Sequence, residues 1–216
     1  MSYQFSGNTL EAGLNFVGAN AEYEIEAQPM FAKEMGLKPH HKFLDLACGC
    51  LRGTVRLVDY LDHGNFYGAD VSERLLELAN ERCREEKVKN WPFLFLMRNF
   101  DDLRQLPKMD FILSVSLLTH LFPADLGPLF RNVAAILNPD GVYYFTMYPT
   151  TDHAEFDGTD MAARHNKQSI IRAGAENGLV VDELEGDFPS PVPSNQFLSR
   201  VNHPLMAQWV MRARPA

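Results

Sequence analysis

The sequence predicts an α/β fold: a mostly parallel sheet of seven strands, doubly wound with helices on both faces and closed by an antiparallel edge strand. Three observations carry the prediction. Short apolar segments alternate with amphipathic helical ones from Phe43 onward, which is the βαβ order of parallel sheets. The strands read as nearly continuous apolar runs, as in Phe93-Leu94-Phe95-Leu96, which implies burial on both faces. The last two strand segments have no helix between them, so they pair as an antiparallel hairpin at one edge.

The elements follow in order. Residues 10–36 carry Leu14, Phe16, Val17, Tyr23, Ile25, Met30, Phe31 and Met35 at loosely helical spacing, and Gly36-Leu37-Lys38-Pro39 ends the run. Residues 43–47 are the first strand. Thr54 to Leu61 is a helix with Val55, Leu57, Val58 and Leu61 inward. Asn65 to Val71 is the second strand, and Ser72-Glu73 caps the next helix, which buries Leu75, Leu76, Leu78 and Ala79. Phe93 to Met97 and Phe111 to Val115 are the third and fourth strands. Pro123 to Leu137 is a helix with Leu126, Leu129, Phe130, Val133 and Ile136 on one face, followed by the turn Asn138-Pro139-Asp140-Gly141. Val142 to Met147 is the fifth strand and Gln168 to Asn177 a further helix, stopped by Gly178. Leu179 to Leu184 and Met206 to Arg212 are the last two strands. Residues 1–36 read as an N-terminal helical extension and 37–216 as one domain.

Composition narrows the function classes. A chain of 216 residues, 46% hydrophobic and 22% charged, can build one substantial globular core. A net charge of −8 argues against nucleic acid as a partner, because phosphate binding needs a basic face. Cys48, Cys50 and Cys83 are an odd count without zinc spacing to any histidine, so they read as reduced thiols and no metal is expected. No signal peptide and no apolar run of membrane-spanning length is evident, so a cytoplasmic location without membrane contact is expected.

The most informative stretch is Phe43-Leu44-Asp45-Leu46-Ala47-Cys48-Gly49-Cys50-Leu51-Arg52-Gly53, with Phe66-Tyr67-Gly68-Ala69-Asp70 after it. It is a strand, a small-residue turn, a helix and a second strand ending on an acid. Small residues let backbone N–H groups approach a ligand, and the helix start adds a positive dipole end. An acid closing the second strand can accept from both hydroxyls of a ribose. Asp70 lies 25 positions after Asp45, near the ~20-residue offset of nucleotide-binding βαβ units. Asp45 within the first strand and D-x-A-C-G after it resemble the first motif of the class I S-adenosylmethionine-dependent methyltransferases, in the variant form C-G-x-L-R-G. The resemblance spans roughly residues 40–213 and implies a Rossmann-like seven-stranded sheet and S-adenosylmethionine as cofactor. By that resemblance Asp45 orients the turn and the cofactor's amino group, Ala47, Cys48 and Gly49 pass beside its methionine part, Arg52 belongs to the variant turn, and Asp70 with Val71 holds the ribose end. Ala47 and Leu51 depart from the family pattern, standing where glycines are usual.

Ligands of such sheets lie beyond the carboxyl ends of the strands. After the third strand, Asn99, Phe100 and Asp101 match the family's adenine contacts; Asp101 and Asp102 read equally as caps of the following turn. After the fourth strand, Ser114 and Ser116 match the methionine end, and His120 in Thr119-His120-Leu121 is a candidate general base or a packed helix residue. After the fifth strand, Asp152-His153 sits on a polar loop where substrate is expected, making His153 a second candidate base. The proline-rich segment 185–205 and the N-terminal 36 residues read as covers, with Phe16 or Tyr23 near the ligand. The expected activity is methyl transfer to an oxygen or nitrogen of a small-molecule acceptor. A non-catalytic cofactor-binding relative or protein-interaction module is the alternative; a nicotinamide oxidoreductase lacks its G-x-G-x-x-G turn and proton relay here.

Overall fold

A computed structural model describes residues 7, 9, 21–150, 156–157, 163–185, 191 and 208–216, with the side chains of 21–24 excepted. They fall into two compact units, one within Met1–Asn99 and Phe188–Pro193, the other within Phe100–Asp187 and Ser194–Ala216.

The first unit is a parallel sheet with its crossover helices. β1 (Phe43–Leu46) pairs with β2 (Phe66–Asp70), Phe43 opposite Phe66 and Leu46 opposite Ala69. β2 pairs in turn with β3 (Phe93–Leu96), Tyr67 opposite Phe93. The crossovers are α2 (Val55–Tyr60) and α3 (Glu73–Glu85). α3 begins as its sequence demands: the Ser72 hydroxyl accepts from the Leu75 N–H at 3.3 Å. β1 is buried throughout. β3 is not: Phe93 is 53% and Leu96 41% exposed. The expectation that this apolar run is covered on both faces is corrected, and the reason is position. Within its unit β3 has a neighbour on one side only, so apolarity there does not report double burial.

α1 (Ala21–Glu34) precedes the sheet and packs on α2. Phe31 and Ala32 are wholly buried, and Ala27 nearly so. Glu26 pairs with Arg56, and the Lys33 ammonium lies 4.3 Å from the Tyr60 ring centroid. This stretch of the N-terminal segment is therefore core of the first unit. Phe16 and the Tyr23 side chain, on which the expected cover depends, lie outside the described residues, as does nearly all of 185–205.

The second unit is mixed. β4 (Met109–Ser114) runs parallel to β5 (Leu137–Pro149). β9 (Trp209–Pro215) is antiparallel to β5 on one side and to β8 (Leu179–Glu183) on the other, so the antiparallel pairing lies toward the edge, as expected. The predicted turn 138–141 is instead a bulge inside β5. Leu137 still pairs with Met109, and the ladder resumes at Val142 opposite Phe111. Gly141 is required there, since a Cβ would stand 2.8 Å from the Met109 carbonyl oxygen. The core lies under α4 (Pro123–Ile136), where Phe130, Phe145 and Tyr143 stack in sequence. α5 (Lys167–Ala175) packs on β8 through Gly174. Two short strands the sequence did not suggest, β6 (Phe156–Asp157) and β7 (Arg164–His165), extend β5 within the stretch expected to be a substrate loop.

Candidate functional site

The first unit's turn is built between two buried acids. Asp45 sits in β1 and Asp70 at the end of β2, each 7% exposed. The Asp70 carboxylate gathers the turn: the Gly49 N–H donates to Oδ2 at 2.8 Å and the Ser72 N–H to Oδ1 at 2.9 Å. The Ala69 carbonyl accepts from Ala47 and Cys48 at 2.8 and 3.0 Å. Cys48 lies over Gly68, whose missing side chain leaves it room; a Cβ there would stand 3.1 Å from Sγ. Arg52 is buried behind the turn, and Gly53 receives the buried Gln28 side chain of α1. The Gln28 contact explains the glycine that ends the motif.

The backbone accounts for the departures from the family pattern. Ala47, Gly49 and Leu51 have φ of +65°, +54° and +58°. All three occupy the left-handed region that glycine enters without cost and a Cβ opposes by roughly 1–2 kcal/mol. Ala47 and Leu51 thus keep the path that glycines would take. Leu51 is completely buried, and that packing offsets its strain.

Burial dominates the electrostatics. It pushes the Asp45 carboxyl up to about 7, with the Thr54 hydrogen bond opposing and the Asp70 charge reinforcing. The Thr54 hydroxyl donates to Asp45 Oδ2 at 2.5 Å. Asp70 is raised by burial too, but the amides of Ser72, Gly49 and Val71 pull it back. Burial raises the Cys50 thiol to about 11 and holds Cys48 protonated as well, which leaves both as inert turn-lining thiols. A carboxylate offers about four acceptor directions. The Gly49 and Ser72 amides take one direction on each oxygen and the Val71 amide also draws on the carboxylate, so Asp70 retains acceptor capacity for a ligand hydroxyl.

The remaining sequence candidates divide. Asn99 is exposed and closes the first unit. In the second unit Phe100 is buried at the start of a 3-10 turn. The Asp101 carboxylate turns toward α4, accepting from Asn132 Nδ2 at 2.8 Å and lying 3.4 Å from Arg131. These partners are side chains of α4, not amides of the turn that follows. Ser114 Oγ is 2.7 Å from the Tyr143 hydroxyl in the core. Ser116 follows β4 at φ +65°. His120 is half-buried on the turn Leu118–His120. His153 lies outside the described residues.

The sequence reading takes Arg164-His165 as a polar entry to the next helix, without a site role for His165, and misses Gln208. His165 is buried, with Nε2 3.2 Å from the Leu118 carbonyl and 3.0 Å from that of Leu121, bracketing His120. Burial lowers its pKa, so the neutral ring donates from Nε2. Gln208 is 6% exposed and meets Ser116 and Thr146. No local pattern announces either residue; a polar side chain next to a strand is the only trace. Among the described residues there is no group of three or more potential metal ligands, and no helix long and apolar enough to cross a membrane.

Comparison with known proteins adds a family and a fold. The family model described as a methyltransferase domain matches residues 43–141, which contain the whole turn and both acids. A magnesium protoporphyrin IX methyltransferase from Synechocystis, solved with bound S-adenosylmethionine, is similar over 98% of this chain and 86% of its own, at 15% identity and a TM-score of 0.64. An S-adenosylmethionine-dependent methyltransferase from Clostridium acetobutylicum shows 15% identity and a TM-score of 0.64 over 94% of this chain and 95% of its own. DesVI from Streptomyces venezuelae shows 17% identity and a TM-score of 0.61 over 98% of this chain and all of its own (100%). At such identities the likeness establishes the Rossmann-like α/β fold.

Proposed function

We propose that this chain is a class I S-adenosylmethionine-dependent methyltransferase, a reading supported by the methyltransferase-domain match over 43–141, and that it transfers a methyl group from S-adenosylmethionine to an oxygen or nitrogen of a small-molecule acceptor. The observation that carries the cofactor half is the Asp70 carboxylate, which ties down the Gly49 and Ser72 amides and keeps acceptor capacity for a ribose hydroxyl. Asp45 supplies a buried negative charge for the cofactor's ammonium. Ala47, Cys48 and Gly49 give a turn without bulk, and Arg52 and Val71 flank it. Ser114 and Ser116 are assigned to the methionine end and Asn99 and Phe100 to the adenine; Asp101, engaged with Asn132, is the weakest of these assignments.

The sulfonium is an activated methyl donor when bound, so the chain's task is placement and exclusion of water. An amine or phenolic acceptor must lose a proton as it is methylated, and His120, on the turn after β4, is the candidate assigned to receive it. Its turn is fastened on both sides: Thr119 donates to the Ser116 carbonyl at 2.6 Å, and the Ala163 amide to the Thr119 carbonyl at 2.8 Å. The left-handed path kept by Ala47 and Leu51 supports a cofactor-holding turn; turnover is what separates an enzyme from a non-catalytic cofactor-binding relative.

The test is a screen of small amines, phenols and carboxylic acids with S-adenosylmethionine, reading S-adenosylhomocysteine. Turnover on at least one acceptor, reduced at least tenfold by His120→Ala, is expected. S-adenosylhomocysteine binding without turnover on any class would favour the non-catalytic reading.

A further inference from the structure

The end of β4 carries a closed polar ring of Ser116, Thr146 and Gln208, of which the proposed chemistry uses only Ser116. Ser116 N–H donates to Thr146 Oγ1 at 2.7 Å. The Thr146 hydroxyl donates to Gln208 Oε1 at 2.5 Å. Gln208 Nε2 donates back to Ser116 Oγ at 2.8 Å. Thr146 is fully buried and Gln208 6% exposed, so the bond between them is made away from water and is costly to leave unmade, while the two bonds to half-buried Ser116 are partly shielded. The ring encloses one of the four non-glycine residues in the left-handed region among the described residues, Ser116 at φ +65°. Locally only its carbonyl is held, by the Thr119 hydroxyl at 2.6 Å. Its side chain and its N–H are held by residues 92 and 30 positions away. A strained residue fixed from two directions is what a fold keeps where backbone direction matters.

We propose that Gln208 is a positioning residue for cofactor binding: through Thr146 and Ser116 it fixes the backbone that follows β4, and so sets affinity for the methionine end of the cofactor. The proposal rests on the reading of the chain as an S-adenosylmethionine-binding enzyme and on Ser116 serving the methionine end. It assigns Gln208 no contact with ligand.

Two probes separate the possibilities, S-adenosylhomocysteine and adenosine, since adenosine lacks the methionine part. Isothermal titration with the full chain is expected to show Gln208→Met weakening S-adenosylhomocysteine roughly tenfold, the value of about one hydrogen bond, with adenosine unchanged. Thr146→Val, nearly isosteric, should give the same pattern and stands in if Gln208→Met does not fold. Asp70→Ala should weaken both probes. Equal weakening of both probes by Gln208→Met and Thr146→Val would show that the ring only supports the fold, and would overturn the proposal. Unchanged S-adenosylhomocysteine affinity in both variants, with Asp70→Ala weakened, would overturn it while leaving the cofactor reading intact. Indifference of S-adenosylhomocysteine binding to Asp70→Ala would overturn the cofactor reading, and the proposal with it.

Discussion

Replacing Asp45 with asparagine should make the unliganded protein more stable at neutral pH. The Asp45 carboxyl is pushed from an ordinary 3.8 to about 7, chiefly by burial. A raised carboxyl pKa means that the folded chain holds the proton more tightly than the unfolded one. The associated stability is complete below about 3.8 and is lost as pH rises to about 7, beyond which the native state bears a buried charge. The gap between 3.8 and about 7 corresponds to roughly 4 kcal/mol at about 1.4 kcal/mol per pH unit. Asparagine keeps the shape and can accept the Thr54 hydrogen bond, but does not ionise. Urea unfolding should therefore find Asp45→Asn close to the native protein at pH 4 and more stable by about 2–4 kcal/mol at pH 8. The reasoning fails if the difference between the two proteins is the same at every pH, or if the variant is the less stable one at pH 8. Either would mean that Asp45 is a compensated carboxylate in the folded chain.

Three further outcomes follow from the same geometry. A cation beside Asp45 favours its charged form, so S-adenosylhomocysteine should bind more tightly at pH 8 than at pH 6, and Asp45→Asn should flatten the profile in calorimetric titrations; a flat native profile would count against a role for Asp45 toward the ammonium. Gly49→Val should abolish S-adenosylhomocysteine binding while circular dichroism stays native, because φ is +54° there and its N–H serves Asp70; normal binding would move the cofactor elsewhere. In α5, Gly174→Ala gains about 1 kcal/mol of helix propensity, yet its Cβ would lie 2.2 Å from Val181 Cγ2. Overpacking should win, with a net loss of about 1–2 kcal/mol in urea unfolding; a stabilised variant would show that β8 yields freely.

What was legible in the sequence is what local chemistry dictates. Asp45, the turn and Asp70 could be read together because one βαβ unit brings them together within a few dozen residues. Ser72 was legible as a cap for the same reason. Burial of β3 was misjudged because Phe93-Leu94-Phe95-Leu96 spells an apolar strand whether or not a second strand lies beside it. The turn 138–141 was read correctly as a departure from regular structure, but pairing on either side made it a bulge rather than a start. Arg164-His165 reads as a polar entry to a helix; only its pairing with Tyr148 and Pro149 makes it a strand. Gln208 meets Ser116 across 92 residues, and such a bond leaves no periodic mark in either segment. The Asp101 side chain has two readings from sequence, and its partners Arg131 and Asn132, 30 and 31 residues away on α4, belong to neither because no local pattern reports them.

The central claim is that the turn between Asp45 and Asp70 holds S-adenosylmethionine, and parallel calorimetric titrations with S-adenosylhomocysteine and NAD test it most directly. One S-adenosylhomocysteine per chain is expected, weakened by about 1.5–3 kcal/mol in Asp70→Ala as a hydrogen-bonding carboxylate is lost, with no NAD binding. NAD binding in place of S-adenosylhomocysteine, or S-adenosylhomocysteine affinity untouched by Asp70→Ala, would contradict the account.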